Sequence, residues 1–382
     1  MNAPILPPAT IGMLGGGQLG RYALMAAASM GYRTIVVDPD PSAPAGTVAG
    51  EHLVAPYDDP SAIRRLVAEC DVVTVEFENP PAAVLDELSV GTVVAPSPHA
   101  VRIAQDRILE KRFLGENGFP IAPYGLLGTR DGAEAAGSDT IPEGPVILKT
   151  ARLGYDGKGQ ARIASAAELH AAHAELGGVP CVVESLLDLD TEVSVLVARA
   201  ADARAETWAV AENRHVDGIL DLSVVPADVD ALVADRATGL AMAIADALGY
   251  VGVLAVEMFV VGGELLVNEL APRPHNSGHW TLDACVTSQF EQQIRAVCGI
   301  GLGATSMTAP AIAMVNLLGD LWGTGNVASE PDWSVVFDDL DAKLHLYGKH
   351  EPRPGRKMGH LTVTSDVTSA AAAKAVALRA RL

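Results

Sequence analysis

Hydrophobic and polar positions along this chain follow two different patterns. Up to about residue 100, short apolar runs such as TIGML, RTIVVD and the stretch 72–76 are separated by longer segments with helical spacing. Apolar runs joined by helices predict the parallel strands of an α/β domain. From Glu192 onward, EVSVLVAR and ETWAVAEN alternate apolar and polar residues around short turns, which predicts an antiparallel sheet and an α+β region.

We expect three parts. The N-terminal α/β domain covers residues 1–100. Prolines and an alanine- and glycine-rich stretch then indicate a small lobe at about 118–185, within a larger domain that covers residues 101–300. Residues 301–382 contain the strand AIAMVNLLG and an alanine-rich terminal helix, and we expect this segment to pack on the central domain.

The most informative pattern is a pair of apolar runs on either side of Gly262-Gly263, which predicts a β-hairpin. Each run contains one carboxylate, Glu257 or Glu269. A three-residue turn places the two opposite each other, whereas a two-residue turn places Asn268 opposite Glu257. Facing carboxylates repel unless a cation lies between them, so the hairpin predicts a Mg²⁺ site. The alternative is that each Glu pairs with a basic side chain such as Arg273.

A glycine-rich stretch after the first strand has the spacing Gly15-x-Gly17-x-x-Gly20, and Asp38 closes the second strand. This is the fingerprint of a dinucleotide-binding turn. It indicates either a helix N-terminus that presents N–H groups to an anion or an ordinary tight turn between strand and helix. An NAD-dependent dehydrogenase is therefore one candidate class.

Polar side chains follow the strand at 72–76. Ligands of α/β sheets usually bind at the carboxyl ends of the strands, where Glu76, Glu78 and Asn79 lie. Alternation along a strand would place Glu76 and Glu78 on one face. They either contact the hydroxyl groups of a ligand or form a solvated strand end.

A lysine at the end of the strand VILK precedes a glycine-rich loop in KTARLGYDGKGQ. Lys149 supplies a positive charge, and Gly154, Gly157 and Gly159 allow backbone N–H groups to approach phosphates closely. The loop is not a Walker A motif, because G-x-x-x-x-G-K-[ST] is absent. We expect it to cover phosphates rather than to form an ordinary hairpin.

Three further segments contribute candidates. The strand CVVES places Glu184 at the seam between lobes, where a linking strand can hydrogen-bond a purine. His215, in the predicted loop NRHVDGILD, is more typical of a structural histidine. A basic cluster near the C-terminus predicts a phosphate monoester site or, alternatively, a solvated loop. Its members are Lys349, Arg353, Arg356, Lys357 and His360.

Composition excludes several classes of protein. The 382 residues have a net charge of −20 and form no basic block, so a nucleic-acid partner is not expected. The four cysteines lack C-x-x-C spacing, which argues against a zinc site or a disulfide framework and favours a reducing cytoplasm. No apolar run reaches the roughly 18 residues of a membrane span. We expect a cytosolic protein.

In chain order, Lys149, the glycine-rich loop, Glu184 and the Glu257/Glu269 pair resemble the ATP-grasp superfamily. Its enzymes hold ATP between two lobes and join an acid to a nucleophile through an acyl phosphate. GGGQLGR, KTARLGYDGKGQ, NELAPRPHNSGHW and HLYGK with RKMGH further resemble one family, the 5-(carboxyamino)imidazole ribonucleotide synthetases of bacterial purine synthesis. The resemblance covers residues 10 to about 365. It implies an ATP-grasp fold with an N-terminal parallel-sheet (pre-ATP-grasp) domain and a small C-terminal β-rich domain.

The resemblance also implies roles for individual residues. ATP would contact Arg107, Lys149, Gly154, Tyr155, Asp156, Gly157, Lys158, Gly159, Glu184, Leu187, Glu192, His215, Asn268 and Glu269. Mg²⁺ would bind Glu257 and Glu269. Aminoimidazole ribonucleotide would contact Gln18, Leu19, Glu76, Asn79, Tyr155, Arg273, His275, Asn276, Lys349 and Arg356. The candidate catalytic residues are Tyr155, Asp156, Lys158, Arg273 and His275. The chain departs from the family at Leu153, where a second glycine is common.

The implied reaction is the carboxylation of aminoimidazole ribonucleotide by bicarbonate, driven by ATP through carboxyphosphate and without biotin. A homodimer formed mainly by the first domain is implied as well. One rival is another ATP-grasp ligase, such as the formate-dependent glycinamide ribonucleotide transformylase, but HNSGHW and RKMGH argue against it. Another rival is a non-catalytic module that binds ATP without turnover.

Overall fold

The computed structural model describes residues 3–128, 141–154, 157–323 and 329–382, and the strands in these ranges form three sheets. The first sheet is parallel, with the order β3-β2-β1-β4-β5, which confirms the predicted α/β fold of this region. Its elements are β1 (Thr10–Leu14), α1 (Gln18–Ser29), β2 (Arg33–Asp38), β3 (Glu51–Val54), α2 (Pro60–Glu69), β4 (Val72–Val75), α3 (Ala82–Gly91) and β5 (Val93–Val94). Helix α1 packs on one face of the sheet, and α2 and α3 pack on the other.

Two helices lead into the small lobe, which has an antiparallel sheet of four strands in the order β6-β9-β7-β8. The elements of this region are α4 (Pro98–Ala104), α5 (Arg107–Glu116), β6 (Tyr124–Leu127), β7 (Val146–Thr150), β8 (Gln160–Ile163), α6 (Ala166–Glu175) and β9 (Cys181–Ser185). Strand β7 is central and apolar, and it ends at Thr150, directly after Lys149.

The largest sheet is antiparallel and runs β15-β14-β10-β12-β13-β16-β18-β17, with β11 paired to β10. Its strands are β10 (Thr191–Arg199), β11 (Ala205–Thr207), β12 (Ala211–Val216), β13 (Ile219–Val225), β14 (Gly252–Val261), β15 (Glu264–Ala271), β16 (Ala311–Leu318), β17 (Ala342–Leu346) and β18 (Lys357–Ser365). Its helices are α7 (Ala231–Ala247), α8 (Thr281–Ala284), α9 (Gln289–Val297), α10 (Ser334–Phe337) and α11 (Thr368–Arg379).

The C-terminal strands extend this central sheet, because β16 pairs with β13. The boundaries near residues 100 and 300 stay predictions. Two local predictions are wrong. NRHVDGILD is not a loop but the hairpin β12–β13, which turns at Asp217-Gly218, where both residues have positive φ. ETWAVAEN is divided between β11 and β12.

The pairing of β14 with β15 combines the two predicted registers of the hairpin. The turn is the two-residue Gly262-Gly263, because Val261 pairs with Glu264, and both glycines have positive φ as a tight hairpin turn requires. A β-bulge then inserts Asn268 as an extra residue. Glu257 consequently lies opposite Glu269 even though the turn has two residues.

The first domain packs on the central one through a shared aromatic cluster. Tyr22 of α1 contacts the rings of His279, Phe290, His345 and His360 at centroid distances between 5.2 and 6.2 Å. This contact places the start of α1 beside the ends of β17 and β18. Among the described residues, no helix is long and apolar enough to cross a membrane.

Candidate active site

The predicted phosphate-binding lysine lies in a buried charged cluster. Lys149 Nζ donates to Glu184 Oε2 and to Asn268 Oδ1, both at 3.1 Å. Lys111 of α5 contacts the same two residues: its Nζ lies 3.4 Å from Glu184 Oε1 and donates to the Asn268 carbonyl at 3.2 Å. Burial raises the pKa of Glu184, but the two lysines outweigh that effect and hold the pKa at about 2. Two cations therefore share one anion.

The facing carboxylates form the second part of the site. Glu269 Oε2 accepts a hydrogen bond from Arg107 Nη2 at 2.9 Å, and Glu257 Oε1 lies 3.4 Å from His275 Nε2. Burial and the charge of Glu269 raise the pKa of Glu257 to about 7. Two oxygen ligands that destabilise each other's charge fit a divalent cation such as Mg²⁺. The alternative of basic partners is partly correct as well, since Glu269 pairs with Arg107.

His215 lies on β12 rather than in a loop, and its side chain contacts Glu192 on the neighbouring strand. Its Nδ1 is 2.9 Å from Glu192 Oε2 on β10. Burial lowers the pKa of His215, but the hydrogen bond to Glu192 and the charge of Glu257 outweigh it and raise the pKa overall. Leu187 is half-buried in the link between β9 and β10, three residues after Glu184.

The glycine-rich loop lies over this site. Gly157 has a positive φ, and a Cβ on it would lie 2.9 Å from the carbonyl oxygen of Asp217, in the β12–β13 turn. A Cβ on Gly159 would lie 2.5 Å from Thr150 Oγ1. Leu153 also has a positive φ of 63° and is 72% exposed, which explains why glycine suits this position better. Lys158 is exposed.

Two predicted residues of this loop, Tyr155 and Asp156, lie outside the described residues. Gly154 of the loop lines a cleft between the first domain and the hairpin, together with Glu78, Asn79, Arg107 and Glu269. The cleft thus joins residues predicted to bind ATP to a residue predicted to bind the second substrate, Asn79.

Backbone N–H groups of the first glycine motif already donate hydrogen bonds to carboxylates of the same chain. Gly16 N donates to Asp38 Oδ2 at 2.7 Å, and the N–H groups of Gly17 and Gly20 donate to Glu76 at 2.9 and 3.2 Å. An incoming pyrophosphate would meet two negative charges at the start of α1. This arrangement argues against a dehydrogenase that binds NAD at this turn.

Strand β4 ends at Val75, and Glu76 accepts hydrogen bonds from the N–H groups of Gly17 and Gly20. The shared face of Glu76 and Glu78 stays a prediction. Glu78 Oε2 accepts from Arg273 Nε at 2.5 Å. Burial raises the pKa of Glu78, but Arg273 outweighs it and holds the pKa below its usual range. A solvated strand end is therefore the wrong description of these two residues.

The segment after β15 turns inward. Burial and the charge of Arg273 hold the pKa of His275 well below its usual value, so the ring is neutral. Its Nδ1 accepts from Ser277 N at 3.3 Å, which leaves the proton on Nε2. Asn276 is buried and exchanges two hydrogen bonds with Asn316, at 2.7 and 3.0 Å. The substrate contact predicted for Asn276 stays a prediction.

Residues from opposite ends of the chain meet at the basic cluster. Lys349 Nζ donates to Gln18 Oε1 at 2.5 Å and to the Lys357 carbonyl at 2.7 Å. Arg356 donates to the Glu351 carbonyl at 2.8 Å. Leu19, by contrast, is buried in the core of the first domain. His360 is wrongly included in the cluster, because it is fully buried and its Nδ1 lies 3.0 Å from the Tyr347 hydroxyl.

Two site residues of α5, Glu110 and Lys111, are not among the predictions. Leu270 N donates to Glu110 Oε1 at 2.5 Å, and burial together with the charge of Glu269 raises the pKa of Glu110 to about 8. Arg107, Glu110, Lys111 and Leu114 follow the i, i+3, i+4, i+7 spacing of a buried helix face. Charged residues at such positions are the pattern that would have identified them.

The chain matches three family descriptions in order. Residues 8–105 match the ribonucleotide synthetase preATP-grasp domain, residues 112–290 match the ATP-grasp domain, and residues 312–374 match the phosphoribosylaminoimidazole carboxylase C-terminal domain. Together these matches account for most of the sequence.

Relatives that align over more than 90% of this chain have names that agree with these matches. The N5-carboxyaminoimidazole ribonucleotide synthases of Brucella melitensis and Bacillus subtilis are 46% and 45% identical, over 93% and 94% of this chain and 96% and 92% of theirs. A crystal structure of an N5-carboxyaminoimidazole ribonucleotide synthetase with ADP superposes with a TM-score of 0.89 at 40% identity, covering 99% of this chain and 98% of that one. The Aspergillus clavatus enzyme with ADP and 5-aminoimidazole ribonucleotide gives 0.84 at 28% identity, covering 98% and 99%.

Proposed function

The chain belongs to the N5-carboxyaminoimidazole ribonucleotide synthase family of ATP-grasp ligases, and we propose that it joins bicarbonate to 5-aminoimidazole ribonucleotide with cleavage of ATP to ADP and phosphate. One observation carries the proposal: Glu257, a candidate metal ligand, lies 3.4 Å from His275, a candidate substrate residue. Phosphoryl transfer and acceptor binding would therefore be adjacent, as a reaction through a short-lived intermediate requires.

The first step uses the buried charged cluster. Bicarbonate attacks the γ-phosphate and ADP leaves, while Lys149 and Arg107 stabilise the negative charge that develops there. Mg²⁺ bound by Glu257 and Glu269 would supply further charge neutralisation. The product of this step is carboxyphosphate, which hydrolyses readily. The glycine-rich loop would therefore have to exclude water, and its contact with the β12–β13 turn supports that role.

The second step takes place towards the first domain. The exocyclic amine of the ribonucleotide attacks the carboxyl carbon of carboxyphosphate, the bond from that carbon to the phosphate oxygen breaks so that phosphate leaves, and the amine gives up one proton. Arg273, oriented by Glu78, is suited to hold an anion. His275 is neutral with its proton on Nε2, so it is a hydrogen-bond donor rather than a base. Asp156 remains the candidate proton acceptor.

The substrate phosphate would bind at the basic cluster. Lys349 and Gln18 are in direct contact there, which supports a joint role for the two ends of the chain. Arg356 adds a guanidinium group suited to phosphate. Asn79 lines the cleft, and Glu76 lies against Gly17 and Gly20 beside Gln18, which supports both as substrate contacts.

Two properties of the whole protein belong to the same proposal. We propose a homodimer formed mainly by the first domain, which light scattering would test as a mass twice the 39.6 kDa of the chain. We also propose that the enzyme works in the cytoplasm, in keeping with its four free cysteines.

The deciding assay measures phosphate release from Mg-ATP, with bicarbonate and 5-aminoimidazole ribonucleotide added separately and together. We expect release to require both. Release that does not depend on the ribonucleotide would contradict the proposal, and release with formate and glycinamide ribonucleotide would favour the transformylase. In the same assay Glu269→Gln should lose turnover while remaining folded, because it removes one carboxylate of the candidate Mg²⁺ pair.

A further inference from the structure

Lys111 is a fully buried lysine for which the sequence suggests no role. Its side chain is 0% exposed, and its ammonium group contacts Glu184 at 3.4 Å and the carbonyls of Asn268 and Val267 at 3.2 and 3.5 Å. An ammonium group has three donors, so these acceptors use its whole capacity. Burying a charge is costly, and an apolar side chain of similar length would fill the same space without that cost. The polar groups around Lys111 therefore account for its presence.

Those groups surround the bulge in β15. Asn268 is the extra residue between Val267, which pairs with Met258, and Glu269. The regular ladder of hydrogen bonds is disrupted at a bulge, so the backbone groups there need other partners. Lys111 supplies donors to the carbonyls of Val267 and Asn268, and its neighbour Glu110 accepts from the amide of Leu270. Helix α5 thus holds both sides of the bulge.

The bulge decides where Glu269 lies. With a two-residue turn and no bulge, Asn268 would lie opposite Glu257, and the side chain of Glu269 would point to the other face of the hairpin. With the bulge, Glu269 faces Glu257, and Asn268 Oδ1 accepts from Lys149. One local distortion therefore sets both the carboxylate pair and a contact of the phosphate-binding lysine.

We propose that Lys111 is a positioning residue of the nucleotide site: it fixes the bulge at Asn268 and thereby holds Glu269 opposite Glu257 for a divalent cation. This role rests on the proposed use of a metal–nucleotide complex, but it is independent of which acceptor is carboxylated. Lys111 also shares Glu184 with Lys149, since the two ammonium groups contact different oxygens of that carboxylate.

The test is the enhancement of ADP affinity by Mg²⁺, measured by calorimetry with and without the metal. In Lys111→Met the donors and the charge are both lost, and the enhancement should fall about tenfold, as when other residues that orient metal ligands are removed. Lys111→Gln keeps N–H donors for the carbonyls, so its enhancement should stay within about threefold of the unaltered protein. Leu378→Ala, in the C-terminal core, is the control for lost stability and should leave both affinities unchanged.

Each outcome decides the question. An unchanged enhancement in Lys111→Met overturns the proposal, and so does an equal loss of affinity with and without Mg²⁺, which general damage would produce. If Lys111→Met does not fold, Lys111→Gln decides alone, and loss of its enhancement would count against the proposed role of the donors. Failure of the proposed carboxylation would appear in the phosphate-release assay instead. There, the unaltered enzyme would release phosphate at a rate that does not depend on the ribonucleotide.

Discussion

Two glycine-rich stretches follow β-strands in this chain, but their surroundings have opposite charge. In the first, Gly16, Gly17 and Gly20 donate their N–H groups to the carboxylates of Asp38 and Glu76. In the second, the loop after Lys149 lies beside two ammonium groups that share one carboxylate, Glu184. Glycine spacing determines how closely a backbone can approach a ligand, whereas the neighbouring charges determine whether an anion is bound there.

Removing the positive charge from the second stretch should have the largest effect. We expect Lys149→Met to lower kcat/KM for ATP by about 100-fold or more, because a group that stabilises developing phosphate charge is lost. Steady-state kinetics would measure this loss. Lys343→Met, which removes an exposed lysine of β17, is the matched control and should behave like the unaltered enzyme. A similar ATP dependence in both variants would refute the role of Lys149.

The first stretch predicts an effect on stability instead. Glu76→Gln replaces a carboxylate that accepts two backbone N–H groups with an amide that has one acceptor oxygen, so the free energy of unfolding should fall by about 2 kcal/mol. Urea denaturation would measure this change. ADP affinity should not change, because the turn binds no nucleotide in this account. A loss of nucleotide binding without a loss of stability would reverse the comparison.

Metal binding beside the second stretch should depend on pH. The pKa of Glu257 is raised to about 7, so the carboxylate is protonated below that pH and a cation must displace the proton. The enhancement of ADP affinity by Mg²⁺ should therefore be complete above about pH 8 and fall by about tenfold per unit below pH 7. Calorimetry at pH 6, 7 and 8 would measure it. An enhancement that is constant over this range would exclude Glu257 as a ligand that titrates near neutral pH.

The smallest expected effect concerns the backbone of the loop. Leu153 has a φ of 63°, a conformation that costs an L-residue about 1–2 kcal/mol. Leu153→Gly removes that strain but increases the entropy of the unfolded chain, so we expect a net stabilisation of about 0.5 kcal/mol. Denaturation would again be the measurement. Leu186→Gly, at an exposed leucine without positive φ, should destabilise the protein. Destabilisation by both variants would contradict the strain at Leu153.

The sequence was sufficient for features that depend on period and on local chemistry. The parallel first sheet, the strand that carries Lys149 and the hairpin with Glu257 and Glu269 all follow from such patterns. Strand β3 was missed because EHLV is only four residues long and half polar. A bulge has no periodic signature, so the register around Asn268 could not be derived from turn length.

The missed site residues depend on tertiary packing. Lys111 and Glu110 lie on a helix whose buried face meets β15, and only the folded arrangement brings them to the bulge. The carboxylates that fill the first glycine motif are likewise distant in sequence, since Glu76 lies 59 residues from Gly17. The spacing of a motif identifies one set of contacting residues. Their partners are distant in sequence, so the spacing does not identify them.

In the proposed reaction, ATP activates bicarbonate, and the carboxyl group is then transferred to 5-aminoimidazole ribonucleotide. The most direct measurement uses ¹⁸O-labelled bicarbonate with Mg-ATP and the ribonucleotide, and analyses the released phosphate by mass spectrometry. If a bicarbonate oxygen attacks the γ-phosphate, each phosphate carries one ¹⁸O atom after the carboxyl group leaves it. Phosphate without ¹⁸O, released while the ribonucleotide is consumed, would contradict the account.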